Sequence, residues 1–214
     1  MKKIGYILSL SIIYTLNSCV APQYVTNITS HGKLENIKKK TATVVGLDRI
    51  LIRNYEKTFH KNYKNSVEFA KKFSEDFANS LIKHKIFSKV LVDSNTDWKA
   101  ISSMTSKKNF LKVSALFETC KTDYLITLNE FELQKKIVET AVNTPSTESF
   151  TNNYSEYLIL KTRVEIYDVS THDLLMEFDV FGEDQILFFS YSKSLKNAKN
   201  QLDESIVGYL KSFR

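Results

Sequence analysis

An α/β domain on a single mixed sheet is predicted by three observations. Strand-like and helix-like segments alternate from Thr41 onward. The run YLITL, residues 124–128, is continuously apolar, as in a strand buried on both faces. Two later segments, residues 154–167 and 174–181, alternate apolar and polar side chains across a short turn, as in an antiparallel hairpin with one buried face. The predicted order is β-α-β-α-β-β-β-α, with the helices packed on the sheet. Composition agrees. The chain has 214 residues, 43% hydrophobic and 25% charged, with 5 Gly and 2 Pro, which excludes collagenous, low-complexity and wholly disordered chains.

The elements follow in order. TVVGLDRILIR, residues 43–53, is rich in β-branched and aliphatic residues and reads as the first strand. Residues 66–87 carry apolar side chains at 70, 73, 77 and 81, a helical stripe. Phe69, Phe73 and Phe77 lie four apart on it and read as helix core against a sheet rather than an aromatic ligand row. KVLV, residues 89–92, is a short strand, and the first β-α-β is expected to be a parallel crossover. Trp98 reads as a core plug, and Phe110, Leu111, Val113, Ser114 and Phe117 suggest a second helix. Cys120 follows it and reads as a small buried hydrophobe.

The third strand begins at Tyr124. Residues 139–153, ETAVNTPSTESFTNN, read as a long exposed loop, since they are rich in Ser, Thr and Asn and hold Pro145. Loops of this kind carry function, which makes Asn143, Pro145, Phe150, Asn152 and Tyr154 the candidate partner-binding residues. In the hairpin that follows, Leu158, Leu160, Thr162, Val164 and Ile166 share one face, as do Leu174, Met176, Phe178 and Val180. Apolar residues at 195, 198, 202, 206, 209 and 213 make a C-terminal helix.

The amino terminus carries a separate signal. Met1-Lys2-Lys3 is a positive start, followed by thirteen mostly apolar, uncharged residues, 4–16, and then Leu16-Asn17-Ser18-Cys19. This is the pattern of a secretory signal peptide. Thirteen helical residues span only about 20 Å, short of a bilayer core. Leu-Asn-Ser-Cys resembles the bacterial lipobox. The resemblance implies cleavage between Ser18 and Cys19 and joining of the Cys19 thiol to diacylglycerol, with the new amine acylated. Each buried acyl CH₂ contributes about 0.8 kcal/mol, so two or three chains hold a protein to a membrane without a spanning helix. The alternative is a cut after Ala21, which would remove Cys19 with the signal.

The expected organisation is therefore a signal peptide over 1–18, a lipidated Cys19 and flexible tether over 19–40, and one α/β domain over 41–214. The tether is polar, with Pro22, Gly32 and the run Lys38-Lys39-Lys40. That run reads either as a solvated stretch or as a contact for anionic headgroups. The net charge of +6 includes Lys2 and Lys3 and is spread evenly, so a nucleic-acid partner is not expected.

Two words in the domain support a further resemblance. Cys120-Lys121-Thr122-Asp123-Tyr124-Leu125-Ile126 and Ile166-Tyr167-Asp168-Val169-Ser170-Thr171-His172-Asp173-Leu174-Leu175 resemble a helix-to-strand step and a hairpin of bacterial envelope proteins. These are the lipoprotein activators of penicillin-binding proteins, the N-terminal domain of the Tol translocation protein and the curli-type secretion lipoproteins. The resemblance implies a non-catalytic domain that docks on an envelope protein, with no active site to carry over. His172 stands where the family turn has Gly, and His tolerates positive φ better than most residues. The long extra strands of a curli-type barrel are not expected.

Enzyme motifs are absent from the sequence: no Gly-rich phosphate loop, H-E-x-x-H, C-x-x-C or G-x-S-x-G occurs. No cofactor and no metal site is expected. Asp93 with Asp97, and Glu130 with Glu132 on one face of a strand, are the carboxylate pairs a hydrolase could use. His60 and His84 lie far apart in sequence. Three readings stand. The first is a binding or regulatory lipoprotein facing the periplasm from the outer membrane. The others are a cell-wall or glycan hydrolase and a surface-displayed adhesin-like lipoprotein.

Overall fold

The computed structural model describes residues 24–46, 50–93, 113, 116–143 and 150–213. Their strands are β1 (Val25–Ser30), β2 (Thr41–Gly46), β3 (Ile50–Arg53), β4 (Lys89–Val92), β5 (Tyr124–Asn143), β6 (Phe150–Asp168) and β7 (Leu174–Gln185). All seven belong to one mixed sheet in the order β1-β7-β6-β5-β2-β4, with β3 also paired to β5. The helices are α1 (Glu56–Asn62), α2 (Ser66–Lys83) and α3 (Tyr191–Leu210). β2 is parallel to both β4 and β5, while β5, β6, β7 and β1 run antiparallel in succession. The mixed α/β sheet is as expected.

Alternation sorts the side chains onto two faces. On the first, Ala42, Val44, Ile126, Leu128, Val164 and Phe178 meet α2 and α3. Phe69, Phe73 and Phe77 are fully buried there, so the aromatic row is core. Asn65 caps α2 by accepting the Glu68 N–H at 2.9 Å, and the Glu68 carboxylate accepts the Lys64 N–H at 2.7 Å. Helix α3 lies so close to β7 that a methyl group at Gly182 would overlap the Ala198 carbonyl oxygen and stand 2.8 Å from the Leu202 nitrogen. On the second face Val45 and Leu125 pack with Val113, Leu116 and Phe117, where residues 116–119 are helical. Phe110, Leu111, Ser114, Trp98 and Asp97 lie outside the described residues.

A bulge organises the long strands. Asn129 pairs with Arg163 and Glu132 with Lys161, so two residues of β5 oppose Thr162 alone. The Thr162 hydroxyl fills the gap by donating to the Asn129 carbonyl at 2.7 Å. Glu130 takes φ 52°. The extra residue reverses the alternation, so Phe131 and Leu133 point into the core after Leu128. Phe131 then sits edge-on against Phe69, with ring centroids 5.1 Å apart.

Four expectations are corrected. The strand expected over 43–53 is two, β2 and β3, because its second half pairs with β5 beyond the bulge. The tether expected over 19–40 does not extend through residues 25–40. β1 pairs with β7, and Leu34 and Ile37 are buried in the main core, so the domain starts before Thr41. β1 is an edge strand with five of its six side chains exposed, and so lacks a hydrophobic alternation to read. The loop expected over 139–153 is largely strand: β5 runs to Asn143, and β6 starts at Phe150. Its Thr, Val and Phe residues suit strands, and backbone pairing supplies the rest. Finally, α1 occupies the polar stretch before residue 66, where spacing predicts no element.

Candidate functional site

The last pairings of β5 to β3 and of β6 to β7 are Gln134 with Arg53 and Tyr157 with Gln185. Beyond them, among the described residues, β5 and β6 form ladder pairs only with each other, from Ile137 with Glu156 to Asn143 with Phe150. Seven rungs make a two-stranded arm about 20 Å long. An isolated two-stranded ribbon is marginally stable in water. Lys135 and Glu156 form an ion pair of 3.1 Å at the arm's base.

The predicted contact residues fall on this arm. Asn143 and Phe150 are backbone partners on the last rung, and Asn152 pairs with Ala141. Tyr154 is 65% exposed, and its hydroxyl donates to Glu139 at 3.2 Å. Pro145 lies outside the described residues, as do Ser18 and Cys19.

Beside the arm is a feature with no counterpart among the predicted site residues. Residues 187–190 form a turn closed by the Ser190 N–H donating to the Leu187 carbonyl at 3.0 Å. Both central residues have positive φ, Phe188 at 49° and Phe189 at 58°. That is the sign pattern of a type I′ turn, where Asn and Gly are preferred. Left-handed backbone at a bulky residue costs on the order of 1 kcal/mol. Neither ring recovers this by burial, since Phe188 is 97% and Phe189 85% exposed. The readable signal is the run Leu187-Phe188-Phe189 placed directly before a helix. The Ile186 N–H donates to the Glu156 carbonyl at 2.7 Å, which puts the turn next to the arm's base and the exposed Ile137.

The second face of the sheet is polar around β6 and β7. Asp179 is buried and accepts from Asn27 at 2.7 Å, Lys161 at 3.1 Å and Arg163 at 3.1 Å. Burial works to raise its carboxyl, but these three donors outweigh it and hold it below the usual carboxylate range. Lys161, Arg163 and Asp179 line a cavity of about 220 Å³ with Leu51, Glu130 and Glu132. The bulge, not regular alternation, brings the two glutamates to this cavity. Glu130 is exposed, and Glu132 pairs with Arg53 at 3.2 Å.

The two resemblance words hold structural groups. The Asp123 carboxylate accepts the Thr41 N–H at 2.7 Å and the Lys40 ammonium at 3.0 Å. The Asp168 carboxylate accepts the Ser170 N–H at 2.8 Å in the β6–β7 turn. His172 takes φ 63° in that turn and stacks on Phe117 at 4.3 Å. Cys120 is half-buried beside the second core, with its thiol 3.1 Å from the Thr122 hydroxyl. Among the described residues no group of His, Cys, Asp and Glu could hold a metal ion, and no helix is long and apolar enough to cross a membrane.

One buried group lies between α2 and α3. Lys199 pairs with Asp76 and sits over the Phe73 ring. Asp203, a turn further along α3, is buried with its Oδ1 lacking a hydrogen-bond partner. Burial pushes its carboxyl up to about 7, opposed by Lys199 and reinforced by Asp76 and Glu204.

No family model and no curated protein matches the chain. Similar solved structures include a point variant of the PelC dodecamer from Paraburkholderia phytofirmans, at 10% identity and TM-score 0.41 over 85% of this chain and 96% of that one. A putative neuraminyllactose-binding hemagglutinin homolog from Helicobacter pylori is similar at 10% identity and TM-score 0.41, over 86% and 87%. The hypothetical protein CT253 from Chlamydia trachomatis is similar at 11% identity and TM-score 0.43, over 81% and 99%.

Proposed function

We propose that the chain is a lipid-anchored bacterial envelope lipoprotein, and that its domain is a non-catalytic module docking on an envelope protein. The arm formed by β5 and β6 is the observation that carries this reading. Seven rungs project beyond the sheet with no third strand among the described residues, and a partner that pairs with or packs on them would supply further contacts. The lipobox-like Leu16-Asn17-Ser18-Cys19 supports the anchor. β1 is antiparallel to β7, with Val25 opposite Val180, so the chain enters the domain from the end where the arm leaves. A partner reached by the arm therefore lies close to the membrane surface.

The test is cross-linking in cells followed by affinity purification from envelopes. Wild type is compared with Cys19→Ser and with a deletion of residues 141–152. One stoichiometric envelope protein, captured by wild type and lost from both variants, is the expected result. Capture of nothing by a protein that fractionates with membranes would overturn docking and favour surface display. Undiminished capture by the deletion variant would remove the arm as the contact.

A further inference from the structure

We infer that the turn at Phe188 and Phe189 inserts into the lipid surface to which Cys19 tethers the chain, so that the domain is held in one orientation on the bilayer. The inference rests on the anchor proposed above. Three observations converge on it. The first is chemical: two consecutive phenylalanines stand almost wholly in water at the tip of a tight turn. The second is conformational: both occupy left-handed backbone, which the fold gains nothing from placing at bulky residues. Phe189 meets the Tyr191 ring at a centroid distance of 6.4 Å, yet both phenylalanines remain exposed, so strain of this kind points to an external contact.

The third is the path of the chain. Tyr24 packs edge-on against Phe181 at 5.2 Å, and its carbonyl accepts the Phe181 N–H. Beyond Phe181, β7 runs about 14 Å to Gln185, and the turn follows two residues later. Five residue steps separate Cys19 from Tyr24, and when extended they span about 17 Å. Because β1 and β7 are antiparallel, the described chain begins at the end of β1 that faces the turn, and Cys19 lies within that reach of Tyr24. The run Lys38-Lys39-Lys40 lies at the opposite end, where Lys40 pairs with Asp123. Headgroup contact through that run and insertion of the turn therefore demand opposite orientations.

A bilayer suits this tip better than a protein does. A stable protein interface covers about 800 Å² per partner, whereas two phenylalanines bring roughly 200 Å² each. For lipid, a modest apolar insertion acting with an acyl anchor is enough, since the anchor already confines the tip to the surface. Lys193 and Lys196 are exposed on the first turns of α3, which starts two residues after Phe189.

The experiment uses the full lipidated protein purified from membranes, with Trp98→Phe to remove its sole tryptophan. A new tryptophan is placed at the tip by Phe188→Trp or, as a control at the opposite end, by Thr171→Trp. Vesicles of phosphatidylethanolamine and phosphatidylglycerol carry bromine on their acyl chains. The expected result is a blue-shifted, quenched tip tryptophan and an unshifted, unquenched control. A tip tryptophan that stays in water in lipidated, vesicle-bound protein would overturn insertion. A tip already blue-shifted in detergent-free protein without vesicles would overturn it in favour of contact with a second copy.

A second variant guards against misfolding. Phe188→Asn with Phe189→Gly gives the turn its preferred residues, so the melting temperature should hold or rise. Quenching read from Leu187→Trp in that background should fall about tenfold or more relative to Leu187→Trp alone. If mass spectrometry finds no lipid on Cys19 while the tip is quenched in added vesicles, the anchor fails and the insertion stands.

Discussion

Asp123 Oδ2 accepts the backbone N–H of Thr41 at 2.7 Å and the Thr41 hydroxyl at 2.8 Å, tying the first residue of β2 to the residue that precedes β5. The Thr41 hydroxyl is also met by the Asp123 N–H at 3.0 Å. This latch sets the register of two parallel strands, which no hairpin turn can do for them. It gives a structural reason for an aspartate before Tyr124.

Removing the latch should therefore cost stability. Asp123→Ala is expected to destabilise by about 1–2 kcal/mol, since it leaves the Thr41 N–H without its acceptor. The Thr41 N–H, helped by its hydroxyl and Lys40, holds the Asp123 carboxyl below the ordinary 3.8. A lowered carboxyl contributes stability above its unfolded value that is lost as pH falls through the folded one. The gap in melting temperature between wild type and variant should be full above about pH 5 and shrink on acidification. A constant gap would show that the charge is not what the latch uses.

Gly182 predicts the tightness of the α3–β7 contact. Gly182→Ala has no room for its methyl against Ala198 and Leu202. Overpacking should cost about 2 kcal/mol, or roughly 6 °C in melting temperature. Gly208 is the control, since nothing lies within 4 Å of a methyl there. It is on an exposed face of the helix, so Gly208→Ala should stabilise by about 1 kcal/mol.

Asp203 sets a pH dependence of the opposite sign. Its carboxyl is raised from 3.8 to about 7 in the folded protein. Between those values the folded state keeps a proton that the unfolded chain has released. Its contribution is thus complete below about pH 4 and is lost as pH rises through about 7. Asp203→Asn should be near neutral at about pH 4 and stabilising at about pH 8, by on the order of 3 kcal/mol. Urea titrations at the two pH values measure the difference. Equal effects at both would mean that the carboxyl is not neutral in the fold.

The anchor makes its own prediction. Globomycin, which blocks cleavage at lipoboxes, should cause precursor accumulation, and labelled palmitate should enter wild type but not Cys19→Ser. Normal processing under globomycin would favour the cut after Ala21.

Much of the core is legible because its residues repeat with the period of their element. The phenylalanines of α2 and the inward residues of β6 follow directly from spacing. His172, read as a turn residue because it stands where the resembling hairpins have Gly, does take positive φ in the β6–β7 turn. The arm is not, because its stability is in backbone pairing, and Ser, Thr and Asn serve a loop and a two-stranded ribbon alike. β1 is hidden for the same reason, as its partner lies about 150 residues away along the chain. The shared cavity of Glu130 and Glu132 depends on the bulge, which leaves no mark in local composition.

By itself the sequence determined the α/β class, the faces of the helices and of the hairpin strands, and the lipobox-like start. Each is encoded in neighbours along the chain, where side-chain chemistry repeats at short range. Tertiary structure alone decided that β5 and β6 outrun the sheet, that β1 closes its edge, and that Phe188 and Phe189 face water at the end where the chain enters. Those facts depend on which strand pairs with which, and pairing free energy is spread over backbone groups that every residue shares.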